Sequence, residues 1–600
     1  MPMKNRLSRI GLAAVVLIVA LAGHIPARAD AAGDLKQLLQ DYDDAGLKLY
    51  PSEAMQRGDR RYLDRYEEDL TAAHLAERRQ LNTQGRTRLA AIDRKQLSEQ
   101  DQLSYDIFAW TLADDTEALA PGVAERFQLL PLNQFYGAHL SFAREMQWHS
   151  EYPFTTPEDY DHAIARMGGF ARWINAAIVK MREGVTKGIT QPRIVVERMI
   201  PQVEALANAN PGDNDFLGPV KNMPASIKDA DRARLASAYT RAVDDTVIPA
   251  YRRLADFLKN EYLSRARASA GMSALPGGKD MYLTLVHNNT TEKLTPEAIH
   301  ALGLKEIDRI TAEMETAKKE AGFTGSLADF DKFLRADPRF KFRDQAAMLA
   351  EFVRVKGVVL AHADTLFPHL PKAPLEFRFF EPYVAPSKAA AEYDPLSGDG
   401  SRPGTVSINA YDLPSRPTYT AEALELHEGL PGHHLQLGLQ YENKELPAFR
   451  RFGGETAFVE GWGLYAESLG PQLGLYTDPY RKFGALSFDA WRAGRLVVDT
   501  GIHWLGWTRE QGIQYLLAHT ALTETDATAE VERYIAIPGQ ALAYKIGQLE
   551  FLSLRARAQK ALGAKFDIRR FHDAVLRDGA MPMPILDAKI DRWIAAEKTR

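Results

Sequence analysis

The sequence predicts a mainly α-helical protein with one small β-sheet. Apolar side chains recur at helical spacing through most of the chain, beginning with Leu35 and Leu39. Helix-start signatures recur as well, and in Thr156–Asp159 a threonine cap is followed by proline in the first turn. The character changes between Leu375 and Asp412, where aromatic and β-branched residues flank a turn-forming run. We therefore expect a helical fold that contains a small sheet in this region.

Helices are expected on both sides of that region. The segments with helical periodicity before it are residues 34 to about 120, 156 to about 182, 191 to about 207, 229 to about 268 and 295 to about 320. Within the region, Thr405–Ile408 is predicted as a strand and Ser397–Gly404 as the turn before it. From Tyr419 to the end the pattern is again mostly helical.

The composition is that of a globular protein. The chain has 600 residues, of which 45% are hydrophobic and 26% charged. This length fits two to four domain-sized units, or one large enzyme domain with two lobes. The formal net charge is −5, and the sequence has no basic stripe or polybasic tail. Nucleic acid is therefore not an expected partner.

The first 29 residues have the pattern of a secretory signal peptide. Lys4–Arg9 carries three positive charges, Ile10–Gly23 is apolar and uncharged, and Ala27–Ala29 is a small-x-small cleavage site. The apolar run is shorter than a membrane span requires. We expect cleavage near Ala29, export to the periplasm or the medium, and no stable membrane anchor afterwards.

The sequence contains no cysteine. An exported chain of this composition has neither disulfides nor a cysteine to which lipid is attached, so its stability comes from core packing and any bound metal. A zinc site in such a chain is built from histidine, aspartate and glutamate rather than from thiolates.

The stretch with the clearest chemistry is Leu426–Gln436, which holds three histidines and a glutamate. A neutral imidazole binds zinc, and a neighbouring carboxylate takes a proton from the water that the metal activates. Zinc peptidases commonly carry His-Glu-x-x-His on one helix. Here Pro431 occupies the fourth position after His427. The second histidine is therefore either His433 or His434.

Helix geometry does not decide whether His433 or His434 is the second ligand. Residues 421–430 have a helical pattern, which the Pro-Gly pair that follows disturbs. On an ideal helix His434, seven residues after His427, returns to nearly the same face at ~100° per residue. A two-residue bulge at the Pro-Gly pair would instead bring His433 to the position of the second ligand. Glu428, next to the first histidine, is the expected general base.

A third protein ligand is expected in the later apolar run Glu455–Glu467. The apolar surroundings of Glu460 favour it as this ligand. Glu467 lies two turns further on the same face, and we expect it to support a ligand from behind or to replace Glu460. Gly461 and Gly463 cost helix stability, and close packing against another backbone explains them.

Four runs of sequence together resemble a bacterial family, the domain of unknown function eight-eight-five. The runs are HEGLPGHHLQ at 427–436, FVEGWGLYAE at 458–467, RLVVDTGIH at 495–503 and RYIAIPGQALAYKIG at 533–547. The resemblance covers most of the chain beyond the predicted signal peptide. It implies a large two-lobed helical fold with a deep cleft, similar to gluzincin metallopeptidases of the carboxypeptidase and oligopeptidase type.

The same resemblance implies a ligand set. It implies one Zn²⁺ per chain, bound by His427, His433 and Glu460, and it thereby favours His433 over His434. We accordingly expect an N-terminal helical lobe at residues 30–290 and a metal-binding catalytic lobe at 291–600, which together form one structural unit.

Further candidates come from the last two runs. Asp499 and His503 are four residues apart on a predicted helix, where either can orient a metal ligand or contact substrate, and His503 is a candidate catalytic residue. The Tyr544 hydroxyl is a candidate donor to a developing oxyanion. Arg533 and Lys545 are candidates for binding a substrate carboxylate.

These residues predict an exported zinc-dependent hydrolase that cleaves peptide bonds of small peptides. One alternative keeps the metal and acts on a non-peptide amide. Another is a non-catalytic peptide-binding protein on the same scaffold, although a binding protein has no need of the base Glu428. A metal-free hydrolase is disfavoured, because no Gly-x-Ser-x-Gly elbow and no cysteine is present. The sequence gives neither the oligomeric state nor the substrate.

Overall fold

The computed structural model describes residues 30–148, 150–208, 214–380, 385, 388–398, 400 and 402–600. The predicted signal peptide lies outside the described residues. None of the helices in the described ranges has both the length and the apolar character that crossing a bilayer requires. The predicted mainly helical fold with a small sheet is confirmed.

Helices make up the described chain before the sheet. They are α1 (Ala31–Leu49), α2 (Pro51–Gln56), α3 (Ala72–Ala90), α4 (Glu99–Ala118), α5 (Val123–Phe127), α6 (Ala138–Glu145), α7 (Pro157–Lys187), α8 (Arg193–Ala207), α9 (Gly218–Lys221), α10 (Asp229–Ala242), α11 (Ile248–Phe257), α12 (Gly278–Thr290), α13 (Pro296–Glu320), α14 (Leu327–Ala336) and α15 (Gln345–His362).

Helices also follow the sheet. They are α16 (Ala421–Glu428), α17 (His433–Glu442), α18 (Ala448–Arg451), α19 (Thr456–Glu467), α20 (Pro479–His503), α21 (Arg509–His519), α22 (Glu524–Ala536), α23 (Ala543–Leu562), α24 (Ile568–Leu576) and α25 (Met583–Thr599).

The long helix α7 shows how the sequence signals act. Thr156 Oγ1 accepts from the Asp159 backbone N–H at 3.3 Å, and the Asp159 carboxylate accepts from the Thr156 backbone N–H at 2.8 Å. This reciprocal cap satisfies two backbone donors at the helix start. The helix continues to Lys187, beyond the expected end near residue 182, and stops at Gly188 with φ 70°. Glycine adopts this left-handed conformation without steric cost.

The sheet has three strands, β1 (Leu375–Phe379), β2 (Ala391–Asp394) and β3 (Gly404–Ile408). β3 is central and pairs parallel with β1 and antiparallel with β2. The predicted strand Thr405–Ile408 falls within β3. β2 was not predicted, because its Ala-Glu-Tyr-Asp sequence has little β-propensity of its own.

Two large apolar cores hold the helices together. The first is built from the N-terminal helices, but it also contains Val498 of α20 and Val531 of α22. The second joins the sheet to the helices that follow it, with Val406 of β3, Leu426 of α16 and Trp462 of α19 among its members. The predicted boundary near residue 290 stays a prediction, and helices after it contribute to both cores.

Helices α19 and α23 approach each other backbone to backbone. A Cβ at Gly461 would lie 2.5 Å from the Cα of Gly547. A Cβ at Gly547 would lie 2.0 Å from the carbonyl oxygen of Ala457. These distances are too short for any side chain, so both glycines are required by the crossing. The expectation of close backbone packing is therefore confirmed for Gly461.

Candidate metal centre

A break between two helices positions the histidines. α16 ends at Glu428 and α17 begins at His433, so the expected kink is a four-residue linker, 429–432. A Cβ at Gly432 would lie 1.9 Å from the carbonyl oxygen of His427. Only glycine lets the chain turn this closely against the end of the preceding helix.

Helix α19 packs against this linker and against the first histidine. Trp462 Nε1 donates to the carbonyl oxygen of Pro431 at 2.9 Å. A Cβ at Gly463 would lie 2.7 Å from the ring of His427. Gly463 therefore leaves room for the imidazole of His427, whereas Gly461 leaves room for the backbone of α23.

Three side chains converge at this point, namely those of His427, His433 and Glu460. One ligand atom from each lies within 4.8 Å of the other two. Glu460 Oε2 is 3.5 Å from Nε2 of His427 and 3.5 Å from Nε2 of His433. Atoms bound at about 2.1 Å to one tetrahedral zinc ion lie roughly 3.4 Å apart. The donor set and its spacing therefore fit zinc.

The far side of the His427 ring is held by a carboxylate. His427 Nδ1 lies 2.8 Å from Glu467 Oε1, and both side chains are buried. The guanidinium of Arg492 lies 3.5 Å from the same oxygen. A histidine that donates Nδ1–H to a carboxylate presents the lone pair of Nε2 to a metal. The structure thus places Glu467 behind the first histidine.

His434 faces away from the three converging side chains. Its Nδ1 lies 3.0 Å from the Tyr393 hydroxyl, and its Nε2 lies 3.2 Å from the carbonyl oxygen of Ala373. A Cβ at Gly404, the first residue of β3, would lie 2.5 Å from His434 Nδ1. This histidine is packed against the sheet, with both ring nitrogens already engaged.

The charged side chains of the centre shift one another's pKa values. Burial raises the pKa of Glu460, but the two adjacent imidazoles hold it well below its usual range. Burial lowers the pKa of His427, but Glu460 and Glu467 raise it to about 10. Burial raises the pKa of Glu428, against the opposing effect of His427 and His433. A base with a raised pKa is better matched to proton transfer near neutral pH.

Tyr544 and Arg533 lie next to the centre. The Tyr544 ring stacks on that of His427, with ring centroids 6.2 Å apart. Its hydroxyl accepts from Arg533 Nη2 at 3.2 Å and from Gln540 Nε2 at 3.3 Å. The structure therefore brings together two of the candidates from the last run of sequence.

Tyr136, which the sequence did not single out, belongs to the N-terminal part of the chain and is electrostatically coupled to residues of the centre. Tyr136 is 57% exposed. Burial raises the pKa of its hydroxyl, Arg533 lowers that pKa, and Tyr544 and Glu460 raise it. Its backbone N–H donates to Asn133 Oδ1 at 2.8 Å, and Asn133 Nδ2 donates to the carbonyl oxygen at the end of α22. The turn that carries Tyr136 is thus fixed to the helix that carries Arg533.

Lys545 does not point into the centre. Its ammonium is fully buried and lies 2.7 Å from Asp489 Oδ1, 2.8 Å from Gln548 Oε1 and 3.1 Å from Glu306 Oε2. These contacts use the three donors of a lysine. Lys545 is therefore committed to an internal ion-pair network and has no donor for a substrate carboxylate.

His503 and Asp499 also lie apart from the three converging side chains. His503 Nδ1 accepts from the Met272 backbone N–H at 3.2 Å, and its Nε2 donates to the Tyr534 carbonyl oxygen at 2.9 Å. Asp499 accepts from the Tyr282 hydroxyl at 2.6 Å. Both side chains tie α20 to neighbouring segments, and the structure gives neither a contact with a metal ligand.

Arg495 is a second residue that the sequence analysis missed. Its guanidinium lies 4.3 Å from the Tyr544 ring centroid, and its Nη2 donates to Glu530 Oε2 at 3.0 Å. It opens the conspicuous run at 495–503, where the three apolar residues that follow it indicate a buried stretch of helix. Its ion pair is with Glu530 of α22, a contact that the periodicity of α20 does not predict.

Comparisons with known proteins agree with this architecture. The family described as "Bacterial protein of unknown function (DUF885)" matches residues 51–590. A "putative lipoprotein" from Colwellia psychrerythraea is 28% identical with a TM-score of 0.86, over 94% of this chain and 99% of that chain. A "putative lipoprotein of unknown function" from Shewanella oneidensis is 18% identical with a TM-score of 0.70, over 92% and 99%, and shows the fold alone. No curated protein sequence matches the chain.

Proposed function

The chain belongs to the bacterial family DUF885, and we propose that it is an exported zinc-dependent hydrolase that cleaves peptide bonds of small peptides. The observation that carries this proposal is the convergence of His427, His433 and Glu460 on one point, 3.5 Å from each histidine nitrogen to the carboxylate oxygen. Glu428, next in the chain to the first ligand, supplies a carboxylate for proton transfer.

The residues divide the chemistry among them. Zinc bound to His427, His433 and Glu460 would lower the pKa of a water molecule and polarise the amide carbonyl. Glu428 takes a proton from the attacking water as the new carbon–oxygen bond forms. It passes that proton to the amide nitrogen as the carbon–nitrogen bond breaks, so the products are a carboxylic acid and a free amine. Arg533 holds the Tyr544 hydroxyl beside the reacting carbonyl.

We further propose a gluzincin-like, two-lobed arrangement in which the site lies in a deep cleft. Tyr136 supports this arrangement, because its side chain is 57% exposed while its turn is hydrogen-bonded through Asn133 to the end of α22. It would form the opposite wall from α19, and a substrate would lie between the two.

Export supports a peptide-scavenging or peptide-processing role outside the cytoplasm. The predicted signal peptide and the lipoprotein descriptions of two similar structures agree on export. This chain has no cysteine, so we propose a protein that is released after cleavage rather than anchored through a lipidated cysteine.

A peptide-library digest, read by mass spectrometry, tests the proposal. We expect zinc-loaded protein to cleave peptides, the chelated protein to lose activity, and added zinc to restore it. Glu428→Gln should retain zinc and lose about 10²- to 10⁴-fold in turnover, the usual contribution of a general base. Wild-type turnover in Glu428→Gln would contradict the assigned base. Cleavage of non-peptide amides alone would replace the peptide substrate, and peptide binding without any turnover would indicate a binding protein.

A further inference from the structure

The buried charges beside the metal centre do not balance. Arg495 on α20 and Arg533 on α22 share one carboxylate, that of Glu530, at 3.0 Å and 3.7 Å respectively. Among the described residues, Glu530 is the only carboxylate within ion-pair distance of either guanidinium. Two positive charges therefore face one negative charge. Arg495 has 2% of its side chain exposed, so water does little to compensate the excess.

One donor of this pair has no partner. Arg495 Nε donates to the Tyr534 hydroxyl at 3.3 Å and Nη2 donates to Glu530, but the buried Nη1 has no hydrogen-bond partner. The central carbon of the guanidinium lies 4.5 Å and 4.3 Å from the ring centroids of Trp491 and Tyr544. A buried, unpaired charged donor is costly in a folded protein unless a ligand satisfies it.

Lys545, the residue after Tyr544, is a buried cation with a complete set of partners. That lysine is also fully buried, but it faces two carboxylates and an amide oxygen. The excess charge at Arg495 and Arg533 is consistent with a ligand that brings a negative charge.

Tyr544 links the positively charged Arg533 to the proposed metal ligand His427. Arg533 Nη2 contacts the Tyr544 hydroxyl at 3.2 Å, and the Tyr544 ring stacks on His427. Arg533 keeps 22% of its side chain exposed, so part of its guanidinium fork is open to solvent. Consecutive Cα atoms are about 3.8 Å apart, and the 6.2 Å and 3.2 Å contacts through Tyr544 set a separation of one to a few residues between the proposed metal ligand His427 and Arg533.

We propose that Arg533, supported by Arg495, binds the free α-carboxylate of the substrate. The substrates are then peptides or N-acylated amino acids with an unblocked C-terminus, and the hydrolase releases the C-terminal amino acid. This proposal rests on the proposed function for the cleavage step, while the carboxylate contact itself does not depend on turnover. Arginine suits this contact because its planar fork pairs with both carboxylate oxygens.

The test compares free-acid and amidated peptides. A pool of tripeptides with randomised side chains is prepared in both forms and equilibrated with zinc-loaded Glu428→Gln, and the bound peptides are measured by ultrafiltration and mass spectrometry. We expect the free acids to bind at least tenfold more tightly than the amides. Adding Arg533→Gln should reduce this ratio to near one. Arg509→Gln is the matched control, since Arg509 is similarly exposed at 25% and pairs with Glu532 instead.

Hydrolysis of the same two pools by the wild-type protein separates the two proposals. Equal binding of acids and amides would overturn the carboxylate site, whether or not hydrolysis occurs. Equal hydrolysis of both pools would overturn it as well, while supporting the hydrolase. A binding preference for acids without hydrolysis of either pool would support the carboxylate site and overturn the proposed function. Preferred hydrolysis of acids, with single C-terminal residues as products, supports both.

Discussion

The Nδ1 of His427 lies 2.8 Å from Oε1 of Glu467, and this contact leaves Nε2 of the imidazole to face the candidate metal centre. Glu467 lies two turns after Glu460 on α19, so one helix provides both a proposed ligand and the carboxylate that orients another ligand. Arg492 lies 3.5 Å from the same Glu467 oxygen and extends the chain of contacts to α20.

Removing the charge of Glu467 should weaken metal binding. Outer partners of metal-bound histidines typically contribute 10- to 100-fold in affinity, so we expect Glu467→Gln to lower zinc affinity by about that factor. Competition with a chromogenic chelator measures the change. Glu445→Gln, at an exposed position between α17 and α18, is the control and should bind zinc like the wild type. Unchanged affinity in Glu467→Gln would show that the contact does not orient a ligand.

The two adjacent histidines should behave differently. His433→Ala removes a converging nitrogen, and we expect it to abolish stoichiometric zinc binding. His434→Ala removes contacts with Tyr393 and Ala373 instead, so it should keep zinc and lose about 1–2 kcal/mol of stability. Metal analysis and urea unfolding of the pair measure both effects. Loss of zinc in His434→Ala, with zinc retained in His433→Ala, would reverse the assignment.

A glycine on α19 should be needed for the metal centre rather than for the helix. The new Cβ of Gly463→Ala would lie 2.7 Å from the His427 ring, so the ring must move. We expect at least a tenfold loss of zinc affinity. Gly357→Ala is the control, because no atom lies within 4 Å of its added Cβ, and the helix should gain up to about 1 kcal/mol. Wild-type zinc affinity in Gly463→Ala would mean that the ring has another position from which to bind.

The sequence predicted the helical fold class better than the individual strands and long-range contacts. The cap at Thr156 marks a helix start that the structure confirms, since this signal is local. The strand β2 escaped prediction because its pairing with β3 supplies the stability that its own residues lack. Glycine is unfavourable inside a helix, and this cost indicated that Gly461 has a packing role. Its partner Gly547 is 86 residues away and is identified only by the fold.

The candidate site was predictable where residues are close in sequence. His427, Glu428 and His433 stand within seven positions, and a proline between them made the spacing a question of backbone geometry. Periodicity alone favoured His434, because it assumes an unbroken helix, whereas the structure has a break at 429–432. Tyr136 carried no signal, since only packing between distant segments brings it to the site.

The role of His503 can be tested through pH. Burial lowers its pKa to about 3, and Met272 N–H, a donor, faces its Nδ1, so the folded protein keeps it neutral. An unfolded histidine has a pKa of about 6.5. The stability that His503 provides is therefore complete above pH 6.5 and is lost as pH falls towards 3. We expect the wild-type advantage over His503→Gln to shrink by about 1.4 kcal/mol per pH unit between pH 6 and 4.5.

Urea unfolding at several pH values measures this difference. Groups that titrate in both proteins cancel in the comparison, so the slope reports the one histidine. A constant difference between the two proteins across this range would contradict a buried neutral role. It would then favour a histidine that is protonated in the folded state, as a catalytic acid would be.

The central claim is that His427, His433 and Glu460 bind a metal, and its most direct test is the zinc content of the mature protein. The measurement is elemental analysis after purification without chelator, followed by dialysis against zinc-free buffer. The account predicts about one equivalent of zinc per chain in the wild type. Less than about half an equivalent in wild-type protein, or an equal zinc content in the His433→Ala variant, would contradict it.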